Sequence, residues 1–196
     1  MRKVIYSMGV SLDGYIVGPD GRFDWAAPDE ELHRFHNEQA REAGVSLYGR
    51  KLYETMRVWD GIGDEDGPVM AEFAGIWRET PKLVFSTTLD RVEGSNTTLS
   101  DDDLVETVAR LKTQDGGPVT IGGAGLAETV IRAGLVDEYQ PFVNPIVVGG
   151  GTPFFPRLDR PVPLRLVESR TFGSKVVSLR YEAIFEDSSG RERESR

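Results

Sequence analysis

Apolar residues recur with two different periods along this chain, and the alternation of the two predicts most of its elements. Val4 to Val10 is apolar enough for a central strand, followed by the turn Ser11-Leu12-Asp13-Gly14 and a second extended run, Tyr15-Ile16-Val17. After Gly18-Pro19-Asp20-Gly21, the run Pro28-Asp29-Glu30-Glu31 has the proline and acids of a helix start. Leu32, Phe35, Gln39 and Ala43 then share one face of a helix that ends near Gly44. Val45–Tyr48 reads as a short strand, with a helix from Gly49-Arg50-Lys51 through Met56. Val69–Trp77 is helical, and Lys82–Phe85 is a strand. Asp101-Asp102-Asp103 opens a helix that turns Leu104, Val108 and Leu111 inward.

The second half begins with a short strand at Val119–Ile121 and a helix from about Leu126, whose Leu126, Val130 and Ile131 face the sheet. Gly134 ends that helix. Tyr139–Val148 reads as a strand, bent or at an edge because it contains Pro141 and Pro145. Gly149-Gly150-Gly151 permits a tight reversal. Leu164–Glu168 and Val176–Phe185 form a late antiparallel pair around Gly173, and 187–196 is a polar tail. Strands alternating with helices, then a strand-rich end, give an α/β sheet that is mostly parallel with antiparallel strands late.

Composition narrows the function classes. The 196 residues suit one domain, and 39% hydrophobic with 28% charged residues suits an ordinary folded protein. Twenty-three basic residues against 32 acidic ones leave a net charge of −9, which argues against nucleic acid and anionic membranes as partners. Cysteine is absent, which excludes disulfides, thiolate nucleophiles and cysteine metal sites. No signal-peptide core or membrane-length apolar run occurs, so the expected location is the cytoplasm.

The candidate chemistry lies at strand ends. Val119 to Ile121 leads through Gly122-Gly123-Ala124-Gly125 into the helix at Leu126, where free amides and the positive helix end can meet an anion. A plain tight turn is the alternative. Gly49-Arg50-Lys51 is a second strand–glycine–helix junction, with two cations that are either ligand-directed or solvated. Ser86-Thr87-Thr88 follows a third strand, and its hydroxyls can bind a phosphate or the local backbone. Ligands of such sheets sit beyond the strands' carboxyl ends, so the three stretches can converge on one phosphate-bearing cofactor. Gly61 to Gly67 is rejected as a nucleotide loop, because Asp64, Glu65 and Asp66 would repel a pyrophosphate. His33 and His36 lie one helical turn apart without a further ligand set, so no metal is expected and the pair reads as a partly exposed helix face.

These residues carry a family likeness. Ser11-Leu12-Asp13-Gly14-Tyr15-Ile16, Gly49-Arg50, Pro81 to Ser86, and the run from Gly122 to Gly151 resemble the RibD C-terminal family. That family is the riboflavin-biosynthesis reductase domain. The resemblance implies a dihydrofolate-reductase-like α/β fold over 1–186, with a central mostly parallel sheet, antiparallel C-terminal strands and helices on both faces. It implies NADPH as cofactor, with Gly49, Arg50 and Lys51 at the 2′-phosphate and pyrophosphate side. Ser86 and Thr87 would lie by the adenosine phosphate, Gly122, Gly123, Ala124, Gly125 and Leu126 under the pyrophosphate, and Gly9 and Val10 at the nicotinamide. Two cations by a helix start suit NADPH better than NADH.

The implied reaction is hydride transfer, as in the reduction of 5-amino-6-(5-phosphoribosylamino)uracil. A carboxylate after the first loop is implied as the catalytic acid: Glu31 in the register that keeps Leu32 and Phe35 in family spacing, Glu30 in the competing register, and Asp24 as a second candidate. Dihydrofolate reductase and a non-catalytic NADPH-binding module are the rival readings. The absence of cysteine rules out a zinc deaminase half. A homodimer is implied, with its contact sought at the proline-bearing strand from Tyr139 and the glycine-rich turn after it.

Overall fold

Strand β1 (Val4–Ser11) runs through the middle of an eight-stranded sheet, and the rest of the chain is laid out on either side of it. The computed structural model describes residues 1–186 and Glu192–Arg193. β2 (Tyr15–Val17) and a short 3-10 turn at Asp24–Ala26 lead to α1 (Glu30–Glu42). Asp29 starts that helix by accepting a hydrogen bond from the Leu32 amide at 2.9 Å. β3 (Val45–Gly49) passes directly into α2 (Arg50–Met56), and α3 (Pro68–Glu79) begins on a proline. β4 (Lys82–Phe85) and β5 (Thr97–Ser100) complete that side. β5 falls on a polar stretch with no strand pattern, where pairing with β4 supplies what the sequence does not.

α4 (Leu104–Lys112) is capped by Asp103, which accepts from the Glu106 amide at 3.0 Å. β6 (Val119–Gly122) and α5 (Ala124–Arg132) follow; the helix begins two residues before Leu126, because Gly123 adopts φ 91° and lets the chain turn at once. β7 (Glu138–Asn144), the short β8 (Thr152–Pro153), then β9 (Leu164–Thr171) and β10 (Val177–Ala183) complete the sheet. β11 (Phe185–Glu186) pairs with β12 (Glu192–Arg193), and the other residues of the polar tail 187–196 lie outside the described residues.

The strand order is β5-β4-β3-β6-β1-β7-β10-β9. The pairings from β5 to β7 are parallel, and those of β10 with β7 and β9 are antiparallel. One expectation is corrected here. β7 is not an edge strand: it pairs along β1 from Glu138 to Asn144 and also with β10. Pro141 is tolerated because the β7–β10 ladder skips it, pairing at Val143–Val177 and Phe142–Ser178 and resuming at Tyr139–Tyr181. A central strand cannot extend the sheet into another copy through its own edge.

The two faces of the sheet differ. On one, Val4, Tyr6, Val10, Leu47, Val119 and Ile121 pack in the main core against Val108 and Leu111 of α4 and Ala127, Val130 and Ile131 of α5. On the other, the alternate residues face α1, where a small second core joins Leu32 with Phe142, Phe172 and Val176. Between that core and the far end of α1 the sheet face is not filled.

Candidate active site

The unfilled space is a cavity of about 590 Å³ between α1 and the sheet. The strand registers divide its floor into layers. Ser46, Thr120, Ile5 and Glu138 lie side by side across four strands; Tyr48, Gly122, Ser7 and Gln140 form the next layer; Gly9 and Phe142 lie beyond, toward the carboxyl ends. α1 forms the roof with Phe35, His36 and Gln39, and Leu52, Met56 and Phe73 close one side.

The floor is polar and largely self-satisfied. Ser46 Oγ and Thr120 Oγ1 are 2.8 Å apart, and Gln39 Nε2 donates to Gln140 Oε1 at 2.8 Å. His36 turns into the cavity rather than toward solvent, with its ring 4.4 Å from that of Phe142, and burial pushes its pKa down to about 4. It is therefore neutral at pH 7. Burial pushes the Tyr48 phenol up to about 12, so it is a hydrogen-bond donor at the same pH.

At the carboxyl edge, the fold brings the three predicted strand-end stretches onto adjacent strands. Tyr48 pairs with Gly122 and Gly49 with Phe85, so Gly49-Arg50-Lys51 lies between Ser86-Thr87 and Gly122-Gly123. Arg50 Nη1 donates to Thr88 Oγ1 at 3.0 Å, while its Nε donates to Glu54 at 2.8 Å. Lys51 is exposed. The Ser86 hydroxyl accepts the amides of Thr88 and Leu89, both at 3.1 Å, so it shapes the local turn.

The start of α5 is open to a ligand. A Cβ added to Gly125 in the first turn of α5 would meet nothing within 4 Å, so open space lies above that helix start. A Cβ on Gly122, in contrast, would come within 2.3 Å of Leu52 Cδ2. Ala124 and Leu126 flank this cradle, both half-buried. Gly9 lines the cavity and would meet Ala26 Cβ at 3.1 Å if it carried a side chain. Val10 points into the opposite core, 4% exposed, and its carbonyl accepts from Asn144, so only Gly9 of that pair faces the cavity.

None of the three predicted carboxylates, Glu30, Glu31 and Asp24, lines the cavity. Glu31 lies at its rim, one turn before Phe35, and accepts the Gly173 amide at 2.9 Å with Arg170 3.7 Å away. Asp24 is bound by Arg22 at 2.5 and 3.2 Å, and that guanidinium holds its carboxyl below the usual range, which suits an ionised acid and not a proton donor. The sequence reading missed Ser7, Ser46, Thr120, Gln140 and the inward face of His36. A usable signal existed: strands buried on both faces read as nearly continuous apolar runs, whereas Val45-Ser46-Leu47-Tyr48 and Val119-Thr120-Ile121-Gly122 alternate.

The RibD C-terminal domain family matches residues 2–178. The YyaP protein of Bacillus subtilis (strain 168), itself uncharacterized, is 32% identical over 183 residues, 92% of this chain and 94% of that protein. A putative riboflavin biosynthesis protein from Shewanella sp. PV-4 superposes with a TM-score of 0.74 at 22% identity, over 93% of this chain and 99% of that one. A dihydrofolate reductase from Enterococcus faecalis, complexed with NADP(H) and RAB-propyl, superposes with a TM-score of 0.60 at 18% identity, over 92% and 96% of the two chains. The fold is dihydrofolate-reductase-like. Among the described residues no helix is long and apolar enough to cross a membrane.

Proposed function

Because the chain belongs to the RibD C-terminal domain family, we propose that it is an NADPH-dependent reductase of a small pyrimidine- or pterin-like heterocycle. The observation that supports this most is the adjacency of two features: a glycine-bearing, cation-flanked edge at the ends of β4, β3 and β6, and a polar cavity reached past Gly9 and Gly122. In this reading the amides at the start of α5 hold the pyrophosphate, and Arg50 and Lys51 select for the 2′-phosphate. The cofactor supplies the hydride. The chain's own residues orient the acceptor ring: Gln39, Gln140 and the Tyr48 phenol offer hydrogen bonds, and Phe35 and Phe142 give apolar surface. The neutral His36 imidazole accepts or donates one hydrogen bond and brings no charge to the ring.

The test is a thermal-shift titration with NADPH and NADH side by side. A ligand at a hundred times its dissociation constant adds about 2.7 kcal/mol, several degrees for a chain of this size. A selective shift with NADPH is expected; no shift with either nucleotide would sink the reading. A cytoplasmic homodimer belongs to the same proposal, and light scattering on the purified chain tests the dimer.

A further inference from the structure

The charges around the cavity carry an inference about what it accepts, and it rests on the reading of this cavity as the substrate side of the reductase. Five charged residues line it: Glu38, Glu42, Glu138 and Glu168 against the single cation Arg180. Arg180 is set between two of these carboxylates, although its buried Nε has no hydrogen-bond partner among the described residues. Its Nη2 lies 3.2 Å from Glu168 and its Nη1 3.9 Å from Glu138. Lys3, behind the lining, donates to Glu138 at 2.5 Å and to Glu182 at 3.1 Å, and Arg165 lies 2.8 Å from Glu182. Among the described residues Lys3, Arg165 and Arg180 share one network with Glu138, Glu168 and Glu182, and neither Glu38 nor Glu42 forms an ion pair.

At the other end the nearby arginines also stand beside carboxylates. Arg170 lies over the rings of Phe35 and Phe172 with Glu31 at 3.7 Å, and Arg34 lies 2.5 Å from Glu30. Arg50 and Lys51 belong to the cofactor edge. Between the two ends the lining is neutral: hydroxyls at Ser7, Ser46 and Thr120, amides at Gln39 and Gln140, and an uncharged imidazole at His36. Such groups match the amide-like edge of a heterocycle, and Phe35 and Phe142 match its apolar faces.

We propose that the cavity takes a phosphate-free heterocycle, neutral or cationic, with amide-type donors and acceptors along its edge, and that it discriminates against the phosphorylated sugar adduct of the same ring. A dianionic phosphate in the cavity would lie beside four carboxylates, with the lining cation Arg180 already set between two of them, whereas an uncharged ribityl chain can hydrogen-bond to the same carboxylates.

The experiment is calorimetric titration of the full chain, saturated with NADP⁺, with 6-(ribitylamino)uracil and with its 5′-phosphate at low salt. The phosphate-free compound is expected to bind at least about tenfold more tightly, a difference of about 1.4 kcal/mol. The ratio should narrow in about 0.5 M salt, which screens the carboxylates, and in the double variant Glu38→Gln/Glu42→Gln, which removes two lining carboxylates that form no ion pair among the described residues. Equal or tighter binding of the phosphate overturns the proposal. Failure of both compounds to bind overturns it as well, and an NADPH-selective thermal shift in the same preparation then leaves the reductase reading standing. Loss of that shift defeats the reductase reading and this proposal together.

Discussion

Glu31 Oε2 accepts the backbone N–H of Gly173 at 2.9 Å, so the first turn of α1 is fastened to the turn between β9 and β10. The carboxylate that the family spacing puts forward for catalysis is thereby engaged by the backbone of another element, outside the cavity lining. The side chain is 51% exposed, so the bond is worth little: Glu31→Ala should lower stability by about 0.5–1 kcal/mol. NADPH affinity should stay within about twofold of the original. Urea denaturation and a nucleotide titration check both. A variant that kept its stability and nucleotide binding but lost turnover a hundredfold or more would return Glu31 to the catalytic role.

Arg50→Ala tests the 2′-phosphate assignment. The guanidinium is held between Glu54 and Thr88 at the carboxyl edge, beside Gly49 and across from Gly122. A charge-assisted phosphate contact is worth about 1–3 kcal/mol, so NADPH should bind about five- to 150-fold more weakly. NADH, which lacks that phosphate, should change little. Equal losses for the two nucleotides in fluorescence titrations would remove Arg50 from the 2′-phosphate site.

How much of this was legible in the sequence depends on which force sets each feature. The glycine junctions were legible because only glycine permits the sharp exit at Gly123 and the close approach of Leu52 to Gly122. Alternating strands and helices likewise follow from local periodicity. β7 was misread because Pro141 marks an edge only where both ladders need its missing N–H; here the β10 ladder skips that residue. The cavity floor was not read because Ser7, Ser46, Thr120 and Gln140 lie far apart in sequence, and only the registers of β1, β3, β6 and β7 bring them together. The placement of Glu31 could not be read, because its partner Gly173 is 142 residues away.

His36 makes stability depend on pH. Its folded pKa is depressed from 6.5 to about 4, chiefly by burial, with His33 adding repulsion and Gln39 opposing the shift. Between these values the unfolded chain binds the extra proton, so stability rises with pH across the window. The contribution of the neutral ring is present above about 6.5 and is lost as the pH falls toward 4. At about 1.4 kcal/mol per unit the whole effect is at most about 3.5 kcal/mol. His36→Gln keeps a hydrogen-bonding group without the titration. Its denaturation midpoint should fall less than that of the original chain between pH 6.5 and 5, where most carboxylates are still ionised. Parallel pH profiles would mean that the imidazole does not titrate in this window.

Gly125→Ala separates a cofactor cradle from a plain turn. Gly125 is the second residue of α5, is exposed, and has nothing within 4 Å of the position where a methyl would stand. If the junction serves only the fold, alanine is harmless or helpful, because it is the better helix former by up to about 1 kcal/mol. The free protein should therefore melt at the same temperature or a few degrees higher. If a pyrophosphate passes over the start of α5, the methyl occupies the space that the ligand needs, and NADPH should bind about tenfold or more weakly. The two effects have opposite signs, so a general loss of folding cannot imitate the result. A variant that melts higher and binds NADPH as tightly as before would show that the open space above α5 is not where the nucleotide lies.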